Sequence, residues 1–304
     1  MSLDIGVFDA LLLTGVLLAA VAAVLVPRRT ASVAVFLVFG LLLALLWARL
    51  DAPDIALAEA VLGGGVTGAL LVDALASKQP HAPPRRLWTV VVGIVAGTIA
   101  FLAAACVVSR LSGPTGELPR LVDDQIATTG AEHPVTAVLL NFRSFDTLLE
   151  IAVVMAAVFA ATAVSDRSWA RELSASGELR TIAMALLPVV ALLAVWMLIA
   201  GTTRPGGAFQ AGAMVGAGLV IAHLTGTRHA STRGRWGEAL IVVGLVAFIL
   251  LAFSTAVAGE GWLVLGESWA SAAILGIEAV LAVSIGVGLA RIFLANRNEP
   301  GEAR

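Results

Sequence analysis

Asn141-Phe-Arg-Ser-Phe-Asp-Thr-Leu-Leu-Glu150 runs directly into the uncharged stretch Ile151 to Val164. With its polar first turn included, that apolar run is long enough to enter a bilayer, so one arginine and two carboxylates stand at the mouth of a membrane helix. Charges there are costly. Asp146 and Glu150 are four apart and share a helical face, with Arg143 a turn before Asp146. A plainer reading exists: Thr147-Leu-Leu-Glu150 fits the capping box, in which hydroxyl and carboxylate satisfy the free amides of a helix start. It leaves Arg143 and Asp146 unexplained.

Composition agrees with a membrane helix here. Hydrophobic residues make up 59% of the chain and charged residues 13%, about half the charged share of a soluble domain. This predicts an all-α, polytopic integral membrane protein. Apolar runs near residues 6–26, 31–48, 53–75, 87–108, 146–164, 180–200, 207–225, 236–257 and 269–294 predict about nine transmembrane helices. The first lacks a basic leading region and a cleavage pattern, and reads as a retained helix rather than a signal peptide. The net charge of −2 says little about partners, because in a membrane protein placement matters more than the sum; no nucleic-acid partner is expected. Cys106 is the only cysteine and lies in an apolar run, so no disulfide, thiolate metal site or iron–sulfur cluster is expected, nor any cofactor.

With nine spans, Arg28, Arg29, Lys78, Arg85, Arg86, Arg167, Arg171, Arg180, Arg228, Arg233, Arg235, Arg291, Arg297 and Arg304 share one side. Arg49, Arg110, Arg120, Arg143 and Arg204 take the other. The positive-inside rule then places the amino terminus outside and the carboxy terminus in the cytoplasm. Trp47, Trp88, Trp196, Trp236, Trp262 and Trp269 fall near span ends, where an interfacial aromatic belt is expected. In the long connection of about residues 109–145, Glu117, Asp123, Asp124, Glu132 and His133 read as a solvated outer face. His133 has no second histidine at helical spacing, and no metal site is expected.

Three outer helix starts carry unusual polar residues. The first is Asp51-Ala-Pro-Asp54-Ile-Ala-Leu-Ala-Glu59. Pro53 suits a first helical position, and Asp51 and Asp54 suit a helix amino terminus. Glu59 lies deeper, roughly 8–10 Å along the helix, and reads as an ion- or proton-handling carboxylate or a buried structural bond. Asp73 follows close to the same face. Between them, Gly63-Gly64-Gly65 and Gly68 permit close helix approach and a kink or local unwinding. The second start is residues 141–150. The third is Gly201-Thr-Thr-Arg-Pro-Gly-Gly-Ala-Phe-Gln-Ala-Gly212. Its Pro205-Gly206-Gly207 turn exposes backbone amides and carbonyls, which a membrane tolerates only beside protein or a wet cavity. Arg204 suits a lipid phosphate or an acid on another helix. Gln210 suits an interhelical hydrogen bond, and Gly212, Gly216 and Gly218 suit tight packing. Glu278 sits near the middle of the last run and is the most deeply placed acid. Glu238 opens the eighth run, and His223, near the end of the seventh, reads as a packed side chain.

Together these stretches resemble a known family. Leu50-Asp-Ala-Pro-Asp54-Ile-Ala-Leu-Ala-Glu59-Ala-Val-Leu-Gly63 resembles the MbhD-like module also found at the carboxy end of the large A subunit of Mrp-type sodium/proton antiporters. Leu140-Asn-Phe-Arg-Ser-Phe-Asp-Thr-Leu-Leu-Glu150 resembles the MbhE-like pattern DFRxxDTxxE. Pro205-Gly-Gly-Ala-Phe-Gln-Ala-Gly212 resembles the PGGGFxGG signature of the B subunit, MnhB or MrpB, and its MbhF-like counterpart. The resemblance implies three modules, residues 1–79, 80–170 and 171–304, with three, two and four spans. It departs where Thr202 stands at a position that is commonly histidine, where Asn141 replaces aspartate, and where Ala208 and Ala211 replace glycines.

The resemblance implies an accessory subunit of a multisubunit sodium/proton antiporter in a bacterial or archaeal cytoplasmic membrane. Its partners would be other subunits, including large antiporter-type subunits like those of respiratory complex I, with sodium, protons and lipid. Glu59, Asp54, Asp73, Asp146, Glu150, Arg143 and Glu278 would belong to the ion or proton pathway, and Pro205, Gly206, Gly207, Phe209 and Gln210 to the backbone motif. The membrane arm of a hydrogenase- or ferredoxin-linked complex is an alternative, as is a scaffold whose acids only pair and pack. With no HExxH, nucleophile elbow or facing pair of catalytic aspartates, an enzyme is not expected.

Overall fold

The computed structural model describes residues 6–67, 71, 87–110, 117–164, 177–225, 234–259 and 261–294. Asp73 and the end of the third apolar run lie outside them. The described residues are helical and contain no strand. In order they form α1 (Val7–Leu25), α2 (Arg29–Arg49), α3 (Pro53–Ala58) continuing as a π-helix (Glu59–Thr67), α4 (Leu87–Arg110), α5 (Glu117–Gln125) with a 3-10 turn (Ile126–Thr128), and α6 (Pro134–Ala137) with a π-turn (Val138–Phe142). Then follow α7 (Ser144–Val164), α8 (Gly177–Ala200), α9 (Ala208–Leu224), α10 (Gly234–Val257) and α11 (Ala270–Leu294).

Among the described residues, six helical stretches, Val7–Leu25, Arg29–Arg49, Ser144–Val164, Arg180–Ala200, Gly234–Val257 and Ala270–Leu294, are long and apolar enough to cross a membrane. Shorter apolar stretches cover Val91–Ala103 and Ala208–His223. The third expected run begins as α3 with Pro53 in its first turn and becomes π-helical at Glu59, before the glycine triplet. A π-helix widens the turn and is common at functional sites.

α11 is the centre of the molecule. Ile274, Leu281 and Ile285 are buried against α7, α9 and α10. In a bilayer, helices associate by close packing and not by escape from water, so small residues set the approach. A methyl group on Gly286 would meet Val215 Cγ1 at 2.6 Å, and one on Gly212 would meet Ile285 Cβ at 2.9 Å. α9 and α11 thus touch through residues with no room to grow. Gly244 lets α10 close on Ser284, whose hydroxyl donates to the Ile241 carbonyl at 2.6 Å. Gly218 faces only an ordinary contact, Val190 Cγ1 at 3.6 Å. At the opposite end from the cavity described below, Glu238 faces Arg291 across α10 and α11 at 3.9 Å, so it has a partner beyond its own helix start.

The connection before α7 is not a simple solvated loop. Ala131, Ala137 and Leu140 are buried in the main core, and Gly130, at φ 77°, lies so close to α11 that a methyl group would meet Ala270 Cβ at 2.6 Å. α7 begins at Ser144, three residues before the expected cap. Thr147 therefore does not cap the helix. Its hydroxyl donates to the Leu139 carbonyl at 2.6 Å, tying α7 to the preceding π-turn.

Candidate functional site

One end of the bundle collects the polar helix starts. Arg49 at the end of α2 donates to Asp9 near the start of α1, with Nε to Oδ1 at 2.6 Å. Beside this pair the chain turns at Asp51, φ 59°, into α3. Asp54 does not cap its own helix. His133 Nε2 lies 2.8 Å from Asp54 Oδ2, and the Gly206 amide donates to Asp54 Oδ1 at 3.2 Å. Gln210 Nε2 donates to the Asp54 carbonyl at 3.3 Å, which realises its expected interhelical bond.

The turn that receives Asp54 is fixed by its backbone. Gly207 at φ 108° adopts a conformation that side chains rarely allow. Its amide donates to the Met197 carbonyl at 2.9 Å, closing α8 onto the start of α9. The Thr202 carbonyl accepts from the amides of Glu132 at 2.9 Å and His133 at 3.0 Å. The Thr136 hydroxyl donates to the Gly201 carbonyl. Backbone bonds therefore lock the 131–137 segment to the 201–207 turn and hold the His133 ring over Asp54.

Beneath this knot lies a cavity of about 390 Å³. Asp54, Ile55, Ala58 and Leu62 form one wall; Val135, Thr136, Leu139, Leu140, Thr147 and Glu150 form another; Gly206 to Gln210, with Glu278 and Leu281, complete it. The three sequence stretches thus converge on one space. Among the described residues, no lysine or arginine lines it. Glu278 lies eight residues inside α11, roughly 12 Å below its start. It is 4% exposed, and among the described residues its Oε2 accepts no hydrogen bond. The Ala208 amide at the α9 amino terminus acts on the carboxylate. Gly207 leaves it room, since a methyl group there would stand 2.8 Å from Oε1. A helix amino terminus stabilises an anion by about 2 kcal/mol at most, whereas removing a carboxylate from water costs several. A proton, a cation or water has to supply the difference.

The other candidate residues sit elsewhere. Arg143 and Asp146 form an ion pair at the exposed start of α7. With Asn141, Phe142, Phe145 and Trp262 to Val264 they border a separate hollow of about 360 Å³. Trp262 packs edge-on against Phe253 at 4.9 Å and over Phe145 at 6.4 Å. Glu150 is exposed on α7, yet reaches the cavity wall. Glu59 is half-buried in the π-helix, and its carboxylate folds over Gly63 so closely that a methyl group would collide with it. It does not line the cavity. Arg204 is exposed. From sequence, His133 reads as part of a solvated face, Thr147 as a helix cap and Thr136 as nothing in particular; their partners are carbonyls and a carboxylate on other segments, which no local spacing reveals.

Residues 14–80 match the family model MbhD, which describes one of the subunits of MBH. Residues 178–294 match the domain related to the MnhB subunit of a Na+/H+ antiporter. The chain is a fused MbhD/MnhB-type membrane module. No curated protein sequence matches it significantly. All of the fused module superposes on part of the Mrp complex from Dietzia sp. DQ12-45-1b, with a TM-score of 0.80 at 23% identity, and it spans 36% of that chain. A second similar structure is an archaeal respiratory membrane complex, the membrane-bound sulfane sulfur reductase MBS. There the TM-score is 0.55 at 22% identity, covering 68% of the module and 97% of the other chain. At these identities the likeness establishes the fold. With its apolar helices and these families, the module is a multi-pass membrane protein.

Proposed function

We propose that the module is an accessory subunit of a multisubunit monovalent cation/proton antiporter, with sodium as the cation. One observation carries this reading: residues of all three signature stretches border one cavity whose deepest acid, Glu278, is buried with an unbonded oxygen. A buried intramembrane carboxylate with a water-sized space beside it suits a group that alternates between proton and cation. Asp54 and Glu150 add negative charge to the walls, and the Pro205 to Gln210 turn offers backbone dipoles. Arg143 holds Asp146 at the mouth of α7. Glu59 and Asp73 extend the acidic series along the MbhD-like segment.

In this reading the modules are residues 1–79, 80–170 (MbhE-like) and 171–304. The chain crosses the cytoplasmic membrane nine times with its amino terminus outside, and the knot around Asp54 faces outward. It assembles with large antiporter-type subunits and performs no enzymatic reaction of its own. A second reading, the membrane arm of a redox-linked complex, is favoured by the MbhD match and the likeness to MBS; copurifying metal-cluster proteins would distinguish it.

The test is sodium-dependent proton exchange in vesicles containing the whole complex, comparing wild type, Glu278→Gln and Glu59→Gln after confirming equal assembly. Loss of exchange in assembled Glu278→Gln supports the pathway. Normal exchange in both variants favours a scaffold.

A further inference from the structure

His133 is a titratable side chain bonded to Asp54 on the cavity wall, and the proposed pathway leaves it without a task. We infer that His133 and Asp54 form the proton-exchanging mouth of the cavity, with the imidazole passing protons between the polar end of the bundle and Glu278. This rests on the proposed role of Glu278 and adds a residue to that pathway.

Position supports the inference first. The His133 and Asp54 side chains are 13% and 12% exposed, and Nε2 lies 2.8 Å from Oδ2. A proton can cross that distance along one hydrogen bond. Asp54 borders the cavity, and its second oxygen is held by the Gly206 amide. The next residue, Gly207, lies against Glu278 Oε1. The carboxylate of Asp54 is thus fixed between the imidazole and the space that Glu278 faces. The space, about 390 Å³, has room for several waters, and Asp54, Thr136, Thr147, Glu150, Gln210 and Glu278 give them polar partners in an otherwise apolar lining.

Chemistry supports it next. Histidine is the side chain whose ordinary titration lies near neutral pH, and it can both accept and donate. The charged group facing His133 is Asp54 on α3, and Asp54 in turn borders the cavity whose walls carry Glu150 on α7 and Glu278 on α11. Glu132 precedes the histidine, and Arg204 lies in the turn whose Thr202 carbonyl accepts its amide. In the inward direction a doubly protonated His133 ring passes its Nε2 proton to Asp54 Oδ2 and is left as neutral imidazole. Asp54 passes one to cavity water, and water delivers one to Glu278 Oε2. The imidazole is reprotonated from the polar end. Cation arrival at Glu278 reverses each transfer, and no other reactant is needed.

The experiment uses the intact complex in vesicles. His133→Gln keeps a donor for Asp54 but cannot titrate; His133→Ala opens space for added imidazole. The expected result is at least a tenfold slower exchange in assembled His133→Gln, with a flattened pH profile. In His133→Ala, millimolar imidazole restores exchange. Wild-type rate and pH profile in His133→Gln, or no rescue in an assembled His133→Ala complex, overturns the inference. Glu278→Gln separates the two claims. If it is inactive while His133→Gln is normal, only the mouth assignment fails; if it is normal, the pathway reading fails.

Discussion

Glu278 and Glu59 are both carboxylates set inside apolar helices, yet their surroundings differ. Glu278 stands where α9 and α11 are pressed together by glycine contacts, buried, with one oxygen unbonded. Glu59 lies on a π-helix that gives its side chain room to fold over Gly63 at a half-exposed surface. Depth along a helix does not by itself define a site. Enclosure does: a tightly packed wall keeps a carboxylate from reaching solvent or a neighbouring cation, so its charge has to be met by whatever enters the cavity.

The largest expected effect follows from that enclosure. Glu278→Gln should reduce exchange at least tenfold in an assembled complex, whereas Glu59→Gln should reduce it less; equal losses would erase the distinction. Gly207→Ala comes next, because the methyl group meets Glu278 Oε1 at 2.8 Å and the backbone is at φ 108°. Strain of this kind costs about 1–3 kcal/mol, so thermal unfolding of the complex should fall by several degrees and exchange should slow. Gly63→Ala displaces the Glu59 carboxylate. Its cost should shrink when combined with Glu59→Ala, and a double-mutant cycle by thermal unfolding measures that coupling. The smallest effect is expected for Arg143→Gln. Its ion pair with Asp146 is exposed, and exposed pairs contribute about 0.2–1 kcal/mol, so stability should barely change.

Much of the fold was legible because apolar length and polar helix starts are local signals. Six long apolar helices and the first-turn position of Pro53 follow from them. Gln210 and the Pro205 to Gly207 turn were legible for the same reason: residue chemistry limits what they can do in a membrane. His133 was not legible. Its partner Asp54 is 79 residues away, and its setting depends on two backbone bonds to Thr202. Thr147 misled because its spacing to Glu150 imitates a cap, whereas the π-turn brings the Leu139 carbonyl into reach. The π-helix itself changes a hydrogen-bond register that residue types do not encode. The glycine triplet announced irregularity without its form. At Thr202 the departure from the family histidine left a protonatable group missing from the motif. The fold brings the imidazole of His133 to the same turn.

If Glu278 exchanges a proton for a cation in the cavity it lines, its protonation has to respond to the cation. Carbodiimide labelling tests it most directly, because the reagent modifies protonated carboxyl groups in apolar surroundings. The intact complex in membranes would be labelled across a range of sodium concentrations and Glu278 read out by mass spectrometry. Glu278 is expected to be modified and sodium to protect it, with protection stronger as pH rises. No modification of Glu278, or modification at the same rate at every sodium concentration, would contradict it.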